Sequence, residues 1–179
     1  MVKAMDRRAA DNKYLHRDFH VSADAGIAYV GRLWGDDAVK EYLKRFTLSW
    51  YSPLINEIKN RGLAALKEHI EKIYETEETR DVLHITMSEN PAGPAGNSPP
   101  GNFPAGELSV NIDRCPAVTY MRSIGHEPSQ WYPWLTLVVN KTIAEKSGIG
   151  FEMISYDEDT GKAAYRFFTK PGNTNGGMN

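Results

Sequence analysis

Cys115 is the single cysteine of the chain, and its neighbours in sequence give it a chemistry. Leu108, Val110 and Ile112 alternate with polar residues, which predicts a strand ending just before it, and Pro116 follows. Proline suits the first helical position, where its missing N–H costs nothing, so Cys115 falls at the N-cap of a helix. A sulfur there faces unpaired backbone N–H groups and the positive end of the helix dipole, both of which favour the thiolate. Arg114 and Arg122 add positive charge close by. The competing reading is plain packing, because free cysteines are among the most buried residues.

Histidines supply the matching acid–base groups. His126 lies eleven residues after Cys115, in Gly125-His-Glu-Pro128, where a loop folding back would bring a general base or proton donor to the sulfur. The segment His16-Arg-Asp-Phe-His20 puts two histidines on one face if it is helical. That spacing suits substrate binding or proton transfer. It also suits a metal, as a minor alternative, though no third ligand or His-Glu-x-x-His motif accompanies it. Each histidine is otherwise an ordinary helix-face or surface residue. Trp131, Tyr132 and Trp134 form an aromatic cluster, with the two tryptophans as candidate walls of a ligand pocket. Asn140 is polar on an otherwise apolar helix, and Arg166 sits in an alternating strand where an inward-facing guanidinium needs an anionic partner.

These residues need a frame, and hydrophobic periodicity predicts one. Residues 13–34 fit one or two helices, with Ser22 or Asp24 as a cap between them. Gly35 ends that stretch and Asp36 caps the next. Val39, Leu43, Phe46, Trp50, Leu54 and Ile58 recur at helical spacing over 36–60, with Pro53 kinking or dividing the helix. Gly62 breaks the chain, and a further helix runs to about Glu75 with Lys67/Glu71 and Glu68/Lys72 on its wet face. After Thr79 the period becomes two, and Leu83, Ile85 and Met87 predict a strand. Residues 89–106 contain five prolines and four glycines, which rules out a ladder and predicts a long loop able to act as a flap. Helices at 116–124 and 129–147 follow, then a hairpin of Phe151–Tyr156 and Ala163–Phe168 around the turn Asp157–Gly161.

The expected fold is therefore α+β: a helical half at 13–78 packed on a small, mostly antiparallel sheet of about four strands within 79–170. A frayed segment at 1–12 and a disordered tail at 171–179 complete the single domain. A chain of 179 residues buries enough surface to need no disulfide or metal staple. A formal charge of −2 and the lack of a basic run give no reason to expect nucleic acid. No apolar stretch approaches the ~20 residues of a membrane span, and no signal-peptide core opens the chain. The expectation is a cytoplasmic protein with a small-molecule substrate, no cofactor and no membrane partner; the aromatic cluster also suits a homo-oligomer. Glycine-rich phosphate loops, GxSxG elbows and dinucleotide fingerprints are absent from the sequence.

Val110-Asn-Ile-Asp-Arg-Cys-Pro116, the helix ending near Gly125, a second helix with an amide, Gly150-Phe-Glu152 and the Ala-Tyr-Arg-Phe-Phe strand together resemble the L-2-amino-thiazoline-4-carboxylic acid hydrolase family. The layout is similar over about 25–168, most sharply over 108–168. Leu137 or Val138 and Ala164 stand where that family often has further cysteines. A more distant likeness is to small-molecule-binding domains of the 4-vinyl reductase type. The resemblance implies a hydrolase of a C–N bond in a cyclic or amidine-like, carboxylate-bearing substrate, with Cys115 as its Cys-Pro cysteine and Arg166 on its late strand. In that expectation Cys115, His126 and His20 are catalytic. His16, Arg114, Arg122, Trp131, Trp134, Asn140 and Arg166 bind substrate, the arginines holding its carboxylate. The alternatives are a non-catalytic ligand-binding or sensor domain and a histidine-based metalloenzyme.

Overall fold

The computed structural model describes residues 13–89 and 106–169. The expected frayed N-terminus, the proline-rich flap and the C-terminal tail lie outside the described residues. Helix α1 runs from Lys13 to Trp50 and is broken at Gly35, whose φ of 78° and ψ of −174° leave the helical region. Only glycine adopts such a conformation without strain. The helix does not break earlier: Ser22 and Asp24, expected as caps, lie within its first part, and Asp24 is buried there.

The chain divides again after Trp50. Helix α2 (Ser52–Arg61) takes Pro53 into its first turn, and Gly62 separates it from α3 (Leu63–Thr76). On the exposed faces Lys67 bonds Glu71 at 2.8 Å, while Glu68 accepts from Arg61 at 2.6 Å. After a single 3-10 turn at Arg80–Val82 come strands β1 (Leu83–Glu89) and β2 (Gly106–Ile112). Helices α4 (Pro116–Ser123) and α5 (Pro133–Ser147) follow, and the chain closes on the hairpin β3 (Ile149–Tyr156) and β4 (Ala163–Thr169). The region 124–132, half of which was expected to be helical, is a loop.

The fold is α+β, with a helical N-terminal half packed on a four-stranded antiparallel sheet. Strand order is β1-β2-β4-β3. Register places Ile85, Val110, Tyr165 and Met153 in one row across the sheet, and Leu83, Ile112, Ala163 and Tyr156 in another. Alternation turns these residues toward the helices, where Ile27, Val39 and Leu43 of α1, Leu66 and Ile70 of α3 and Val139 and Ile143 of α5 join them in one apolar cluster. No described helix is long and apolar enough to cross a membrane.

Candidate functional site

The strand-to-helix step after β2 holds Cys115 in place. Its φ and ψ of −76° and 121° are those of a helix N-cap, and Pro116 occupies the first turn of α4. Its carbonyl accepts from Thr119 N at 3.0 Å, and its own N–H donates to Thr160 O at 2.9 Å in the β3–β4 turn. That turn is tightened by Asp157, whose Oδ1 accepts from Thr160 N and Oγ1 at 2.8 and 2.7 Å. It ends at Gly161, with φ of +65°, where an added Cβ would lie 2.3 Å from the Cβ of Cys115. Only a left-handed residue without a side chain fits against the cysteine here.

Cys115 is half-buried and lines a partly open cavity of about 190 Å³ bordered by α1, α3, α4, α5, β2 and β4. Most of the wall is apolar or aromatic, and its polar groups include His20, Glu77, Tyr132 and Asn140. His20 is held from both sides. Its Nε2 lies 3.1 Å from Glu77 Oε1, and its Nδ1 lies 3.3 Å from the Tyr132 hydroxyl. An ionised carboxylate only accepts, so Nε2 carries the hydrogen in this pair and Tyr132 donates to Nδ1. Tyr132 also belongs to the small apolar cluster of α4 against which Cys115 packs.

The thiol differs from expectation in its acidity. Burial pushes the Cys115 pKa up, the N–H groups of Val118 and Ala117 pull it down by less, and the Glu77 charge adds to the rise. The N-cap position is as expected, but no close capping hydrogen bond reaches the sulfur, so desolvation outweighs the helix end. At neutral pH the group rests as a thiol. Tyr74, Tyr132, Tyr156 and Tyr165 are likewise raised, chiefly by burial, and each also feels charge on Cys115. They are protonated donors around the sulfur.

Of the residues expected to act, Cys115, His20 and Asn140 meet in this cavity. The other described ones are engaged elsewhere. His126 Nε2 is 2.7 Å from Asp24 Oδ2, and the same carboxylate accepts Ser129 N at 3.1 Å and Ser129 Oγ at 2.6 Å. His126 therefore fastens the 124–132 loop to α1 rather than facing the sulfur. Arg114 pairs with Asp81 at 3.6 Å, and Arg122 with Glu127 at 2.7 Å and with the Asp159 carbonyl. Arg166 does have anionic partners, Glu107 and Glu152, but on the sheet face away from the helices, because its neighbours Tyr165 and Phe167 take the inward positions. Trp131 donates to Asp36 at 2.8 Å, and Lys40 lies 5.1 Å from the Trp134 ring centre. Of the aromatic cluster, only Tyr132 reaches the cavity. The His16 side chain lies outside the described residues, and among those no group of three metal-ligating side chains occurs.

Glu77 is the participant that periodicity did not single out; Tyr132 was expected only as a member of the aromatic cluster. Glu77 caps α3 at its C-terminus, where the helix dipole disfavours a carboxylate, and yet it is only 4% exposed. An acidic run closing a helix was the available signal. No family model, curated protein or solved structure matches the chain.

Proposed function

We propose that the protein is a small-molecule hydrolase that opens a C–N bond of a cyclic or amidine-like substrate, with Cys115 as nucleophile. The observation that carries this reading is the lining of one cavity by Cys115 and by a histidine oriented through a buried carboxylate. A nucleophile, a base and a group that orients the base are the parts covalent hydrolysis requires. The raised thiol pKa makes the base necessary, because little thiolate exists without one. Tyr132, whose hydroxyl bonds His20, belongs to the cluster against which Cys115 packs, and in this reading it relays the proton from the sulfur to His20.

In the proposed reaction the thiol proton passes through Tyr132 to His20 as sulfur bonds to the electrophilic carbon. That proton then goes to the departing nitrogen as the C–N bond breaks. A water molecule cleaves the carbon–sulfur bond and restores the thiol. The cavity is a little larger than the ~150 Å³ that admits a benzene ring, so its occupant has roughly six to ten non-hydrogen atoms. A small heterocycle fits, in line with the resemblance of 108–168 to the thiazoline-carboxylate hydrolases. The substrate carboxylate is left out, because Arg114, Arg122 and Arg166 are committed to other partners.

The test is ring opening of a panel of thiazolines, cyclic amidines and lactams, followed by mass spectrometry. Turnover is expected in wild type and lost in Cys115→Ser; undiminished turnover in that variant removes the sulfur from the mechanism. A second reading, a non-catalytic ligand-binding domain, is favoured by the engagement of both His20 nitrogens. It predicts that a ligand binds Cys115→Ser as tightly as wild type and is never converted.

A further inference from the structure

Two phenols in the cavity have no hydrogen-bond partner among the described residues. Tyr165, on β4, is only 5% exposed, and Tyr74, on α3, faces the same space beside Cys115. The Tyr132 hydroxyl meets His20, but the hydroxyls of Tyr74 and Tyr165 make no hydrogen bond among the described residues. Both residues line the cavity, and neither oxygen is among the fully enclosed polar atoms that lack a partner. Burial holds both phenols protonated, which makes them donors, and each responds to charge on the other's neighbour Cys115. Hydroxyls in a mostly apolar cavity that no described group satisfies take their acceptor from the cavity's contents, water or substrate.

We propose that the Tyr74 and Tyr165 hydroxyls form a donor pair for the atom that gains negative charge when Cys115 adds to its substrate. This rests on the hydrolase reading and names the substrate class more closely: a compound whose attacked carbon carries a polarised C=O or C=N double bond. As the S–C bond forms, the π electrons move to that oxygen or nitrogen, which accepts from the two phenols, while the thiol proton moves to His20. On collapse the electrons return, and the leaving nitrogen departs with the proton from His20. Donors aimed at the charged intermediate rather than at the resting carbonyl accelerate the step instead of merely tightening binding.

A small aldehyde tests the pair without knowledge of the substrate. [1-13C]Propanal adds to a thiol as a hemithioacetal: an S–C bond forms and the thiol proton ends on the oxygen, which occupies the position of the developing anion. Titration of the full chain, read by 13C NMR, is expected to show a saturable tetrahedral carbon signal that is absent in Cys115→Ser. Tyr165→Phe and Tyr74→Phe should each weaken the adduct about tenfold, one hydrogen bond apiece, and together about a hundredfold. Melting temperatures should stay at the wild-type value, because these hydroxyls bond no described residue. Equal adduct affinity in wild type and the double variant overturns the donor pair while leaving Cys115 as nucleophile. Absence of any adduct in wild type overturns the nucleophile and the pair with it.

Discussion

Removal of the Asp24 carboxylate should loosen the loop that delivers Tyr132. Asp24 is 2% exposed in the middle of α1 and accepts from Ser129 N, Ser129 Oγ and His126 Nε2 over 2.6–3.1 Å. Hydrogen bonds to a charged group are worth about 1.5–3 kcal/mol each, set against the several kcal/mol spent on desolvating the carboxylate. In Asp24→Ala the Ser129 hydroxyl can turn to water, and the 30%-exposed His126 side chain can find solvent, while the Ser129 N–H loses both carboxylate oxygens. The expected loss is about 3–5 kcal/mol, the range for breaking a buried charged pair. At about 2–4 °C per kcal/mol for a chain of this size, the melting temperature falls by about 6–20 °C. Asp24→Asn keeps the shape and one acceptor, and should lose about half as much. Urea titration followed by tryptophan fluorescence measures the change, and a double-mutant cycle with His126→Ala isolates the coupling between the two residues. An Asp24→Ala protein melting within about 2 °C of wild type refutes the account of the loop as fastened by this carboxylate.

Four further outcomes follow from the same geometry. The pH profile of Cys115 alkylation by iodoacetamide should inflect above the ordinary thiol value of 9.0, because burial raises the folded pKa; an inflection below that value contradicts desolvation as the dominant effect. By linkage the neutral buried thiol is fully stabilising below the unfolded-state pKa, and stability is lost as pH rises from there through the folded value, so Cys115→Ser should flatten the alkaline limb of a stability–pH curve. Gly161→Ala combines a left-handed backbone with a Cβ 2.3 Å from that of Cys115 and should cost about 2–4 kcal/mol in chemical denaturation; a neutral substitution means the turn does not seat the cysteine. Glu77→Gln should lower kcat about tenfold to a hundredfold with KM nearly unchanged, since its carboxylate orients His20, and a KM effect alone would place it in binding instead.

Much of the frame was legible because it rests on local signals. Gly35, Pro53 and Gly62 punctuate the helices where their backbone chemistry requires, and alternation in Leu83–Met87, Leu108–Ile112 and Ala163–Phe168 identifies strands with one buried face. Cys115 was legible at its N-cap for the same reason. The acidity of its thiol was not, because desolvation depends on what packs over the sulfur, and those residues come from α1, α3, α5 and β4. Charge partners were equally opaque. Asp24 and His126 are 102 residues apart, and His20 and Glu77 are 57 apart, distances over which spacing carries no information. Arg166 shows the opposite limit: an alternating strand defines two faces, and which one meets the helices is settled only by its neighbours.

The two polar clusters of α1 act on one another through the 124–132 loop. His20 and Asp24 are one helical turn apart, so their side chains lie on the same face of the helix. His20 receives Tyr132 from the end of the loop, and Asp24 receives Ser129 and His126 from its middle. The loop is thereby stitched to two successive turns of a single rigid element, and Tyr132 cannot shift along α1 without breaking the Asp24 contacts. In the proposed relay, that constraint keeps the Tyr132 hydroxyl against His20, the group that receives the thiol proton. The buried carboxylate distant from the sulfur thus bears on the proposed reaction by fixing where the Tyr132 hydroxyl stands.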